Sequence, residues 1–169
     1  MRKVLRTIDA ISDGVGKISR WLCPALVLLI TLEVIRRFVF NSPSMWAFET
    51  SMMIGAAAYF FGWAFVHRHR AHVRVDVFYA HLPQRIQALI DVLGNLFLFF
   101  PFIIMFTLAA VDKAKYAWVV DERMEETAWF PPVAPLRTAM AIALILLVLQ
   151  GTANFIRDFH LLIRNKSYD

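Results

Sequence analysis

Four long apolar runs separated by polar stretches dominate the chain, and each is long enough to cross a bilayer as one helix. The first runs from about Trp21 to Phe40 and the second from about Trp46 to Val66. The third covers about Leu89 to Ala110, with helix expected to continue towards Trp118, and the fourth covers about Pro135 to Phe155. At 1.5 Å per residue, ~20 residues cross the ~30 Å of hydrocarbon. Ahead of them the pattern changes. Val4, Ile8, Ile11, Val15, Ile18 and Leu22 recur every three or four residues, with Arg2, Lys3, Arg6, Asp9, Asp13, Lys17 and Arg20 between them. That periodicity predicts an amphipathic helix over about residues 3–20, lying on the membrane interface before the first span. It also offers no uninterrupted apolar core for a cleavable signal, so the first run reads as a retained span.

The connections carry their own signals. Asn41, Ser42, Pro43 and Ser44 are turn formers, which makes spans one and two a tight helical hairpin. Asp76 can cap a short helix over residues 77–82, and Pro83 suits the first turn of the helix after it. "ETAWFPPVAP" holds three prolines in five residues, so it predicts a stiff non-helical loop closed by Pro135. The fold expected is all-α: one four-helix membrane domain over residues 1–169, with loops at 67–88 and 111–134.

Charge sets the orientation. Residues 1–20, the second connection and the C-terminal tail together hold 12 of the 18 lysines and arginines. Asn41–Met45 has none, and residues 111–134 have three against five acids. Positive-inside logic puts both termini in the cytoplasm and loop 111–134 in the periplasm. Composition agrees with the membrane class: 59% of residues are hydrophobic and 18% charged, and mean hydropathy is +0.56. The net charge of +5 then speaks for anionic lipid rather than nucleic acid. A single cysteine, Cys23, excludes an intramolecular disulfide and any cysteine-based metal cluster.

Few residues invite chemistry. Arg37 and Glu49 each lie three residues inside the hairpin, at matching depth, and are expected to pair, because unpaired intramembrane charges are costly. Glu33 precedes Arg36 and Arg37 by one helical turn and can pair with them. As a lone carboxylate it would instead suggest a small proton-coupled antiporter. His67, His69, His72, His81 and His160 fall in a loop or at span ends, away from the mid-membrane position that a haem-binding respiratory anchor needs. No cofactor, metal or catalytic constellation is expected. Asp91 with Asn95, and Gln150 with Asn154, share helix faces and are candidates for contact between helices or with a partner subunit. "GAAAYFFG", from Gly55 to Gly62, offers a small-residue face for close helix approach.

The order of these features resembles the small permease subunit of tripartite ATP-independent periplasmic (TRAP) transporters. That family shows Arg-aromatic-x-Phe-Asn, then Trp-x-x-Glu, then His-x-Arg-x-Asp with Leu-Pro shortly after. The matching positions here are Arg37, Phe38, Phe40, Asn41, Trp46 and Glu49, then His72, Arg74, Asp76, Leu82 and Pro83. Phe48 stands where many members have a second acid, and Arg36 adds a positive charge. The resemblance implies a non-catalytic scaffold in the inner membrane, without cofactor. Its partners would be a large permease subunit, which carries sodium and substrate, and a periplasmic binding protein that delivers organic acids or related solutes. Loop residues Glu125, Glu126, Trp129 and Phe130 are the candidate docking surface for that binding protein.

Overall fold

The computed structural model describes residues 2–69 and 82–164, and these are almost wholly helical. Helix α1 is Arg2–Ser19, α2 is Leu22–Phe38, α3 is Ala47–Arg68, α4 is Gln84–Val119 and α5 is Ala134–Arg164. No strand forms among the described residues, and an isolated bridge pairs Arg123 with Pro132 in the α4–α5 loop. Three stretches are long and apolar enough to cross a membrane: Arg2–Phe38, Gln84–Val119 and Ala134–Ile163. The remaining expected span forms as α3, whose 22 residues reach about 33 Å. It falls outside that set because Glu49, Thr50, Ser51, Tyr59, Trp63 and two glycines dilute its apolar content.

Helix α5 is the surface shared by α1, α3 and α4. Helices α3 and α4 both pack along it, α2 packs chiefly on α3, and α1 lies across α3 and α5. No comparably extensive contact joins α4 to α2 or α3 among the described residues. The helices therefore form a row, α2–α3–α5–α4. The apolar core sits where α3, α4 and α5 approach: Ile103, Leu144 and Leu147, with Trp63, Phe99 and Val148 against them. Helix α2, at the end of the row, buries no residue.

The amphipathic helix is present, but it turns the other way from a simple protein-facing apolar stripe. Its buried positions are Leu5, Ser12, Gly16 and Ser19, a small and polar face. Val4, Ile11 and Ile18 stay exposed on the opposite side. Gly16 permits this approach, since any Cβ there would overlap the Phe65 ring of α3. Gly151 plays the same part in α5, where a Cβ would run into Phe99. Of the glycines in "GAAAYFFG", Gly55 faces Leu26 of α2 at ordinary contact distance and Gly62 faces open space.

Phe99 reaches Gly151 from a local irregularity in α4. Residues Asn95–Phe99 form a π-helical turn, in which the Phe100 amide bonds the Asn95 carbonyl five residues back. His67 at the end of α3 stacks flat on Phe99, with centroids 4.8 Å apart and planes 5° from parallel. The expected extension of the third span towards Trp118 is realised, and α4 ends at Val119.

The Phe99 notch generates a prediction. Gly151→Ala inserts a methyl group into a filled space and should lower stability by about 1–3 kcal/mol. Thermal unfolding in detergent reads this directly, and trimming the ring by Phe99→Leu in the same chain should recover part of the loss. An unchanged unfolding temperature for Gly151→Ala would show that Phe99 swings out freely.

Candidate functional site

Two polar clusters occupy opposite ends of the helices. At the α2–α3 hairpin the chain leaves α2 through Val39, whose amide still bonds Ile35, and the Ser42 amide returns to the Arg36 carbonyl. Asn41 takes a left-handed backbone conformation with φ of 50°, a conformation that asparagine tolerates better than most residues. Both carboxylate oxygens of Glu33 accept the Ser44 amide, at 3.1 and 3.3 Å, and Arg37 lies 3.6 Å from the same carboxylate. Glu33 thus closes the turn from within α2 and pairs one helical turn ahead.

The expected Arg37–Glu49 pair does not form. Arg37 projects outward and is more than half exposed, whereas Glu49 is fully buried on the opposite side of its helix. Equal depth brings two side chains together only when both helices present them to one another, and here α3 is rotated to carry Glu49 towards the α4–α5 loop. Its Oε1 accepts the Thr127 backbone amide at 2.9 Å, while Oε2 has no hydrogen-bond partner among the described residues. Glu49 also stands in the first turn of α3, where the helix dipole favours an anion. Trp46, just ahead of that helix, is partly exposed, as are Asn41 and Pro43.

Glu49 is one of three fastenings on that loop. Arg137 in the first turn of α5 pairs with Glu122, and the Arg123–Pro132 bridge is closed by Met124 N–H to Pro131 O at 2.9 Å and Val133 N–H to Glu122 O at 2.9 Å. Trp118 donates to the Thr138 hydroxyl at 2.9 Å across the α4–α5 junction. The stiff loop expected from its prolines is therefore also pinned, with Asp121 and Phe130 both at φ of 48°. Glu125, Glu126, Trp129 and Phe130 all remain exposed on it.

The second cluster lies where α1 crosses α3 and α5. Asp9 receives Arg157 Nη2 at 2.5 Å and Nη1 at 3.3 Å, a forked arrangement, and Gln150 Nε2 at 3.0 Å. Arg68 of α3 donates to the Asp9 carbonyl at 2.9 Å and forms an ion pair with Asp13. Gln150, fully buried, accepts the Ser12 hydroxyl at 2.7 Å and also donates to Asn154 at 3.4 Å, so its amide is satisfied on every side. Asn154 in turn donates to the His67 carbonyl at 2.9 Å, in the last turn of α3.

Of the two alternatives that the sequence left open for Gln150 and Asn154, the contacts seen here are those between helices within the chain. Asp9 and Ser12 of α1, the partners of Gln150, were not expected from the sequence. The available signal was Asp9, Ser12, Asp13 and Gly16 recurring on one helical face. Asp91 and Asn95 sit near the start of α4 and are part-buried, with Asn95 opening the π-turn. Of the loop motif, His72, Arg74 and Asp76 lie outside the described residues, as does most of the expected helix over residues 77–82. Pro83 directly precedes α4, whose first residue is Gln84. No group of three or more possible metal-binding side chains occurs among the described residues.

Residues 26–161 match a protein-family model described as tripartite ATP-independent periplasmic transporters, DctQ component. The match takes in the hairpin, the pinned loop and the α5 side of the inner network. No curated protein matches the chain.

Two substitutions separate these clusters. Glu49→Ala leaves the Thr127 amide without its acceptor and should cost about 1–3 kcal/mol, with faster amide hydrogen exchange in residues 122–133. Arg37→Gln should leave that exchange unchanged, whereas equal effects of the two would restore an Arg37–Glu49 pair. Asp9→Ala removes the carboxylate that Arg157 and Gln150 share, while Arg68 keeps Asp13 and the carbonyl of residue 9, and should cost about 1–3 kcal/mol. Limited proteolysis should then release residues 1–20 first.

Proposed function

The chain belongs to the family of DctQ components, the small permease subunits of tripartite ATP-independent periplasmic transporters, and from that footing we propose that it is the rigid scaffold of a sodium-coupled uptake system. It is a non-catalytic transporter component. In this reading four helices, α2 to α5, cross the inner membrane with both termini in the cytoplasm, as the distribution of arginine and lysine favours. The hairpin and the α4–α5 loop then face the periplasm, and the α1 network faces the cytoplasm. A large permease subunit would carry the sodium and solute sites, and a periplasmic binding protein would deliver an organic acid or related solute.

The observation that carries the scaffold role is the commitment of Asp9, Glu33 and Glu49 to bonds within the chain. Asp9 holds Arg157 and Gln150, Glu33 holds Ser44 and Arg37, and Glu49 holds Thr127. A carboxylate that shuttles protons has to exchange with water and change partners during turnover. Glu33, the residue an antiporter reading would need, instead closes a turn. Such ties are suited to a part that stays fixed while another moves.

The pinned loop is the proposed landing surface for the binding protein. Its acids Glu125 and Glu126 and its rings Trp129 and Phe130 are exposed together on a backbone held at both ends, so docking there orders little. Reversing both charges, Glu125→Lys with Glu126→Lys, should lower binding-protein-dependent uptake several-fold. Co-purification with the large subunit should be unaffected. Unchanged uptake and unchanged binding-protein affinity would remove the loop from the docking surface, and failure to co-purify with any large membrane subunit would overturn the scaffold reading itself.

A further inference from the structure

Because α3 and α4 flank α5 without closing on one another, a groove remains between them with α5 as its floor. It encloses a cavity of about 430 Å³, walled by Phe60 of α3 and Phe106 and Ala109 of α4, and floored by Leu136, Met140 and Leu144 of α5. Two cations also line it, and both stand at one end. Lys113 lies seven residues beyond Phe106 on α4, and Arg137 lies seven residues before Leu144 on the antiparallel α5. Each spacing corresponds to about 10 Å of helix, so the two cations stand at one level and Phe106 and Leu144 at another. That level is three residues into α5 and six residues before the end of α4, where the helices approach the α4–α5 loop.

The two cations differ in what they already hold. Arg137 is paired with Glu122, and one of its N–H groups donates to the Lys113 carbonyl at 3.5 Å. Lys113 is exposed, and no carboxylate lies within ion-pair distance of its ammonium group among the described residues; its recorded neighbour is the Tyr116 ring, 5.9 Å away at the centroid. Asp112, the adjacent acid, pairs with Lys115 instead. A dry slot about 10 Å deep under an uncommitted ammonium group complements a molecule with an apolar tail and a negative head. A soluble anion would leave the slot unfilled, and an apolar partner helix would leave the charge unmatched.

We infer that the groove between α3 and α4 binds one acyl chain of an anionic phospholipid, with Lys113 holding the headgroup phosphate at the rim. Arg137, fixed by Glu122, sets the shape of that rim rather than supplying the free charge. The site belongs to the loop end of the helices, and it holds whichever leaflet that end faces. It adjoins the pinned loop through Arg137 and Glu122, but its lipid selectivity is read separately from the scaffold role.

The test uses the protein purified with its large subunit in mild detergent, with native mass spectrometry reading retained lipid. Phosphatidylglycerol and phosphatidylcholine with identical chains are the probes. The unmodified complex should retain phosphatidylglycerol about fivefold over phosphatidylcholine, the ratio expected for one added surface cation. Lys113→Gln should bring that ratio close to one. Ala109→Trp, which fills the groove from an exposed position, should lower retention of both lipids. Equal retention of the two lipids by the unmodified complex would overturn the inference, as would a preference untouched by both substitutions. Binding seen only with the isolated chain and lost in the complex would assign the groove to the subunit interface and overturn it equally.

Discussion

The carboxylate of Asp9 is the point at which three helices are joined. It stands on α1, takes two bonds from Arg157 and one from Gln150 on α5, and draws Arg68 of α3 to its own backbone. A charge removed from water has to be matched nearby, or its desolvation outweighs whatever packing accompanies it. Matching it here requires α3 and α5 to present their arginines at one height. That height in turn places His67 against Phe99 and Asn154 against the last turn of α3. The rotational setting of the helices about their axes is thereby tied to a single acid.

The two ends of the helices meet the same physical demand by different means. At the hairpin, short-range bonds suffice: Glu33 reaches Ser44 across a turn of the chain, and Asn41 supplies the backbone geometry. At the far end the partners are separated by well over a hundred residues in sequence, so only the completed packing can assemble them. Glu49 and Thr127 belong to the second kind although Glu49 lies beside the hairpin. The loop between α4 and α5 accordingly takes its position from α3, a helix with which it shares no chain connection.

How far the sequence anticipates this follows from that distinction. Apolar runs, turn residues and prolines act locally, and they locate the helices, the hairpin, the non-helical loop and the pairing of Glu33 with Arg37. The pairing proposed for Arg37 with Glu49 failed because depth along a helix is legible from spacing while rotation about its axis is not. The same gap hid the inward turn of α1. Its periodic apolar positions mark one face, but the small and polar face was the one that α3 and α5 could approach. Gly16 and Gly151 carry no signal of their own in one sequence, since each matters only through a ring that arrives from another helix.

The π-turn in α4 has a further consequence. An α-helix advances about 100° per residue, so one residue accommodated in a wider turn changes the phase of everything after it. The segments Gln84–Gly94 and Phe100–Val119 share one continuous helix but keep separate angular registers. The first can set Ala88 and Val92 inward, and the second Ile103, Ala114 and Ala117, without a break in the chain. The wide turn works like a vernier between the two halves, letting one continuous helix satisfy two differently oriented contact surfaces.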